Sequence, residues 1–221
     1  MILAVSIENA HHYGDVIPSI YRLRYHGFKQ RQDYDVPSYK GMEYDTYDTP
    51  ATTYIAWRDE CNIVRGCARL FPTTQPYMIE HLWPDAVANR NLPKSPYIWE
   101  ASRMCIDKNL PPQRRQMIHG LILCGLLEFG QANGIDWMIG VMALPIWRSV
   151  FIRAGWPIEF LGPAVEIGPR EKIFAGKMKI SDHILKSVRE KFGIDRTVIR
   201  PEGNGANDLN SNANEGGKIR A

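Results

Sequence analysis

Two stretches that otherwise read as buried β-strands carry charges in their middles, and no other feature of the 221 residues restricts the fold so tightly. Arg69 interrupts Gly66–Phe71, and Glu100 and Arg103 interrupt Ile98–Ile106. A charge taken out of water is costly unless an opposite charge and hydrogen bonds meet it. Candidate partners stand elsewhere: Arg24 lies one residue past the apolar stripe of the first helix, and Glu43, Asp45 and Asp48 cluster in Gly-Met-Glu-Tyr-Asp-Thr-Tyr-Asp. Taken singly, each reads as a solvated edge charge. Taken together, charges on several segments with apolar neighbours point to one shared polar pocket. A geometric condition follows. In a regular strand Glu100 and Arg103 face opposite ways, so serving one pocket requires a β-bulge between them. A regular ladder through Ala101 and Ser102 would count against the pair.

The rest of the pattern alternates. Residues 2–7 read as a strand, and residues 15–29 as a helix with Val16, Ile20 and Leu23 on one face. Residues 30–50 lack periodicity and read as a long ordered loop. Thr53–Trp57 and Ile63–Phe71 form a hairpin, and Tyr97–Ile106 is a strand. Residues 114–133 form a long helix closed by Gly134. Trp137–Met142 is a strand, residues 145–154 a helix, Glu171–Lys179 a strand, and Ser181 caps a last helix to Phe192. This order predicts one α/β domain over residues 1–199 with a single mixed sheet flanked by helices. Residues 200–221, almost free of large apolar side chains, read as a disordered tail.

Composition excludes several classes. A net charge of +3 is too mild for a nucleic-acid binder. No apolar run approaches the ~18 residues of a membrane span, and the N-terminus lacks the basic region and cleavage site of a signal peptide. Cys67, Cys105 and Cys124 sit in apolar runs and Cys61 in the hairpin turn, with no C-x-x-C pair and no zinc-ligand spacing. They read as reduced thiols of a cytoplasmic protein, and no metal site is expected.

The spaced motifs Arg24-x-x-x-Phe28, Glu43-x-Asp45-x-x-Asp48, Arg69-Leu70-x-Pro72-Thr73-Thr74 and Trp99-Glu100-x-Ser102-Arg103 resemble the LuxI-type acyl-homoserine lactone synthases, from about residue 2 to 180. The resemblance implies a fold like the GCN5-related N-acyltransferases, with a sheet splayed apart to admit an acyl donor. It implies S-adenosylmethionine as a substrate, with no tightly bound cofactor, and an acyl-acyl-carrier protein or acyl-CoA as partner. It carries S-adenosylmethionine binding to Arg24, Phe28, Tyr34, Asp45, Asp48, Arg69 and Arg103, and catalysis to Glu100, Arg103 and Asp45. Tyr34 stands where the family usually has Trp, which keeps an aromatic face for adenine or the sulfonium.

The same resemblance suggests an acyl pocket from Met104, Met142, Ala143, Leu144, Trp147 and Phe151. Ala143 stands where members that use 3-oxo donors often carry Thr, so a chain without a 3-oxo group is expected. Arg148, Arg153, Lys172, Lys177 and Lys179 are candidates for docking an acidic carrier. Glu100 would take a proton from the substrate amine, directly or through one water, which requires burial to offset the lowering effect of Arg103. Arg69, with Arg24 and Arg103 behind it, would hold the substrate carboxylate. Two rivals differ in class: an acyltransferase for another amine, and a binding domain without turnover. The first lacks support, because residues 111–120 do not carry the Arg/Gln-x-x-Gly-x-Gly/Ala phosphate loop.

Overall fold

The computed structural model describes residues 1–168 and 171–199; the stretch expected to form a tail lies outside them. Ten strands and five α-helices follow in the order β1 (Ile2–Val5), α1 (Val16–Arg24), β2 (Ser38–Tyr39), β3 (Met42–Glu43), β4 (Thr53–Arg58), β5 (Val64–Pro72), α2 (Met78–Leu82), β6 (Ile98–Ile106), α3 (Pro112–Ala132), β7 (Trp137–Ala143), α4 (Leu144–Val150), β8 (Glu159–Phe160), β9 (Val165–Gly168), β10 (Glu171–Lys179) and α5 (Asp182–Phe192). One sheet runs β1-β4-β5-β6-β7-β10-β8, with β9 also paired to β10. Every pairing in it is antiparallel except β6–β7, whose crossover is α3.

The β6–β7 pairing is short. It runs from Ile98 opposite Trp137 to Glu100 opposite Ile139 and stops, although β6 continues to Ile106 and β7 to Ala143. The mixed sheet is therefore splayed from Glu100 onward, as expected. One face is covered by α3 and α5, and its core includes Ile55, Leu70, Ala101, Ile118, Ile122, Leu126 and Met138. The opposite face carries two smaller cores. One packs α1 (Val16, Ile20, Leu23) on Leu3, Ala56, Cys67 and Cys105; the other gathers Phe71, Tyr77, Ile79, Val87, Ile139 and Ala175. The charged site sits between them.

Three local departures from the sequence expectations shape that site. The first helix is α-helical only to Arg24; Tyr25–Arg31 continue as a wider π-type coil. Gly27 lies in this coil against the Cys105 thiol, where any Cβ would collide. The expected loop over residues 30–50 contains a hairpin, with Ser38 paired to Glu43 and Tyr39 to Met42. Lys40 and Gly41 both have positive φ (48° and 73°), the two-residue turn whose twist matches the strands it joins. Residues 77–90, to which the sequence reading assigned no element, form α2 and two single 3₁₀ turns, Pro84–Ala86 and Ala88–Arg90. Elsewhere the expectations hold: Glu171–Lys179 is β10, and the Ser181 hydroxyl accepts from the Ile184 N–H at 3.3 Å to cap α5. The helix expected over residues 145–154 is α4 followed by the 3₁₀ turn Ile152–Ala154.

Candidate active site

Adjacent residues on β5 and β6 alternate between the two faces, and the charged ones fall on the face away from α3. Arg69 lies on β5, where the flanking Ala68 and Leu70 join the core under α3. On β6, Trp99 and Ala101 pack toward α3 while Glu100 and Ser102 face the other way. The bulge expected between Glu100 and Arg103 is not there: the ladder stays regular through Ala101 and Ser102, and the register shift falls beyond Ser102. Pairing is regular through Ala101–Leu70 and Ser102–Arg69; the next pair is Cys105–Cys67. Three steps on β6 thus match two on β5, and Arg103 takes φ +52°. Because the left-handed conformation is at Arg103 itself, its side chain joins Glu100 and Ser102 on one face. The condition set on the ladder is thereby corrected: the left-handed backbone at Arg103, and not a bulge before it, brings the two residues to one face.

The carboxylates come from the short hairpin and the turn after it. Arg24, fully buried at the end of α1, donates from Nε to Glu43 at 2.5 Å and forks onto both oxygens of Asp48 at 2.7 and 2.9 Å. Glu43 accepts from Arg103 Nε through its other oxygen at 3.1 Å. Asp45 bridges Arg69 (2.5 Å) and Arg103 (2.8 Å). Its own backbone N–H donates to Asp48 at 2.8 Å, so the turn holds its acids in place. Arg69 Nε donates to the Ser102 hydroxyl at 3.0 Å, and the Tyr54 hydroxyl donates to Asp48 at 2.6 Å. Burial works to raise the Asp48 carboxyl, but the Arg24 hydrogen bonds and charge, with Arg69 behind them, outweigh it and hold it at about 2.

Glu100 has a different environment. Its carboxylate is fully buried and accepts from the backbone N–H groups of Met78 (3.1 Å) and Ile79 (2.8 Å) at the start of α2. Burial pushes it up to about 7, although those two hydrogen bonds and the charges of Arg69 and Arg103 pull the other way. A carboxylate poised near neutrality beside a gap in a sheet is suited to accept a proton and return it.

The predicted set therefore converges, but its members are not equally reachable. Arg24, Glu43 and Arg69 have no exposed side-chain surface; Asp45 keeps 7% and Arg103 17%. Arg69, expected to hold a substrate carboxylate, is buried with its fork on Asp45 and Ser102. Arg103 is the reachable guanidinium, with the Phe28 ring 5.8 Å from its Cζ. Phe28 and Tyr34 stack at 6.4 Å with 12° between planes, and Tyr34 is exposed at the outer end of this wall.

Of the expected acyl-pocket residues, Met104, Met142, Ala143 and Leu144 are half-buried along the two parting strands and the start of α4. Trp147 and Phe151 are closed into the core, Trp147 through its Nε1–H donating to the Phe174 carbonyl at 2.9 Å, so neither is an open wall. The docking candidates also divide. Arg148, Arg153 and Lys179 are exposed, whereas Lys172 pairs with Glu166 (3.0 Å) and Lys177 with Glu159 (3.1 Å) across neighbouring strands. These two lysines thus stand in cross-strand ion pairs, while the other three are exposed.

Several contributors lay outside the residues expected to bind substrate or to catalyse. Glu43 bridges Arg24 and Arg103, Ser102 takes Arg69, and the Met78 thioether faces both Arg69 (3.8 Å) and Arg103 (3.6 Å). Glu43 and Ser102 stand within the spaced motifs, so their signal was available. The α2 N–H groups had none, since every non-proline residue offers the same donor.

Comparison with known proteins agrees with this geometry. The autoinducer synthase family model matches residues 9–188. An acyl-homoserine-lactone synthase of Aeromonas salmonicida is 36% identical over 70% of this chain and 76% of its own length; one of Rhizobium radiobacter is 35% identical over 76% and 81%. Among solved structures, a CoA-dependent acyl-homoserine lactone synthase with SAM and isopentyl-CoA superposes with a TM-score of 0.83 at 27% identity, covering 92% of this chain and 93% of that one. The chain belongs to the autoinducer synthase family and is an acyltransferase of the acyl-homoserine-lactone synthase class.

Proposed function

We propose that this chain joins an acyl thioester to the α-amine of S-adenosylmethionine and then closes the lactone, releasing methylthioadenosine. The observation that carries this reading is Glu100, a buried carboxylate held near neutrality where β6 and β7 part, with Arg103 brought to the same face by its left-handed backbone. An α-amine titrates near ~8 and must shed a proton before it attacks. Glu100 takes that proton, the N–C bond forms, and the thiol leaves. The substrate carboxylate then attacks its own γ-carbon and the C–S bond to the sulfonium breaks. Arg103 orients that carboxylate, Asp45 accepts from the amine, and Phe28 and Tyr34 face the sulfonium and adenine. Holding groups in reacting geometry is worth up to ~7–11 kcal/mol in favourable systems. Arg24, Glu43, Asp48 and Arg69 position these groups.

The acyl chain lies along Met104, Met142, Ala143 and Leu144, and Ala143 suits a chain without a 3-oxo group. The donor is an acyl-CoA or an acyl-acyl-carrier protein, the latter docking on the exposed Arg148, Arg153 and Lys179. The test is to incubate the protein with S-adenosylmethionine and each donor in turn. Methylthioadenosine release that requires the thioester, with an acyl-homoserine lactone in the same reaction, is the expected result; acylation of some other amine, or no turnover with any donor, refutes the reading.

A further inference from the structure

α2 has five residues, too few to hold a helix by its own hydrogen bonds, so its place over Glu100 depends on what its side chains grip. Its front is anchored. Tyr77 and Ile79 are buried in an apolar cluster with Phe71 and Ile139, and the Met78 thioether faces Arg69 and Arg103. Its last turn has fewer holds: Leu82 is exposed, and Glu80 pairs with Lys94 at 2.5 Å on the surface. His81 supplies the one that reaches the charged site. Its Nδ1 is hydrogen-bonded to the Tyr47 hydroxyl at 3.1 Å, with the two ring centres 5.9 Å apart.

Tyr47 belongs to the turn that carries the acids. Its N–H donates to Asp45 at 2.9 Å, and its carbonyl accepts from the Thr52 hydroxyl at 2.7 Å. Its buried ring lies 5.7 Å from the Arg69 Cζ and meets Phe71 edge-on at 6.4 Å. Phe71 stands directly opposite Glu100 in the β5–β6 ladder. A side chain held at backbone and ring makes a firm post for whatever its hydroxyl binds. Burial, then the charges of Glu100 and Asp45, push the Tyr47 ionisation up, so its O–H donates to neutral His81. When His81 takes a second proton the direction reverses and the bond is kept.

We propose that the Tyr47–His81 hydrogen bond is a strut that seats α2 on Glu100, which makes both residues positioning residues for the acyl-transfer step. Without it the last turn of α2 lifts, and the Met78 and Ile79 N–H groups loosen their hold on the carboxylate. Those bonds favour the charged form, so weakening them moves the Glu100 ionisation up. The other charges acting on Glu100, Arg69 from β5 and Arg103 from β6, are left in place. This inference rests on Glu100 being the proton acceptor.

The test is the pH profile of kcat/KM in the full chain for the parent, Glu100→Gln, Tyr47→Phe, His81→Phe and the last two combined. Tyr47→Phe keeps the ring on Arg69 and Phe71, and His81 is exposed, so these variants should fold. Their acid limb should move up by about one pH unit, the tenfold effect of one weakened hydrogen bond to a charge, with the plateau above it kept. Both singles and the double should show the same displacement, because each change breaks the same bond. His81→Asn, whose Oδ1 stands in for Nδ1 as acceptor and does not titrate, should return the limb to the parent's position. A limb unmoved in Tyr47→Phe, displacements that add in the double, or no return in His81→Asn overturns the strut and leaves Glu100 as base. A limb that persists in Glu100→Gln overturns both.

Discussion

Two sets of carboxylates a few residues apart in space are held in opposite ways. Asp48, Asp45 and Glu43 sit on the hairpin and turn, and each is met by guanidinium groups; Glu100 lies on β6 and is met by two backbone N–H groups. Asp48 is held at about 2 and Glu100 rises to about 7. Both are buried, so desolvation raises both; what differs is whether full positive charges outweigh it. A carboxylate locked by arginines is a fixed anion that shapes the site. One held by N–H dipoles in a dry setting can change its protonation during a reaction.

The largest expected effect breaks the fixed set. Arg24→Met removes the guanidinium shared by Glu43 and Asp48 and leaves buried acids without it. Unfolding in urea should show a loss of about 3–5 kcal/mol. A loss below about 1 kcal/mol would mean that Arg69 and Arg103 carry those acids alone.

A smaller effect tests the titratable side. Glu100→Gln should reduce turnover by roughly 10²-fold or more, and the parent's kcat/KM should fall as pH drops below about 7. That acid limb should be absent from the residual activity of the variant. Stability moves oppositely for the two sets. Glu100 has a raised value, so the folded state binds the extra proton between 4.5 and about 7 and stability declines as pH rises through that window. Asp48 has a lowered value, so its contribution is present above 3.8 and is lost as pH falls toward about 2. Unfolding free energies measured across pH should therefore flatten in the upper window for Glu100→Gln and in the lower one for Asp48→Asn. A curve in which both variants flatten the same window would erase the distinction.

The smallest effect concerns charges outside the site. Lys172→Ala and Lys177→Ala break solvent-facing pairs with Glu166 and Glu159 and should each cost under about 1 kcal/mol, shrinking further in salt. Losses near that of Arg24→Met would show that pairing alone, without burial, explains the site's stability.

Much of this arrangement was legible beforehand. Apolar period located β4, β5, β6, α3, β7 and β10 within a few residues, since the face a residue presents repeats with the backbone geometry. The π-type coil after Arg24 was not legible, because it depends on Gly27 meeting Cys105, 78 positions away in the chain. Nor was α2, a five-residue helix too short to show a period.

From the chain alone one could determine that Arg24, Arg69 and Arg103 must find acids, and that Glu43, Asp45 and Asp48 were the acids available. The cost of burying unpaired charge forces that conclusion without coordinates. Tertiary structure decided who meets whom: Arg69 inward on Ser102 and Asp45, Arg103 outward through its left-handed backbone, Glu100 beneath the first N–H groups of α2. Those choices depend on strand register and on distances between segments 19 to 60 residues apart, which local periodicity does not encode.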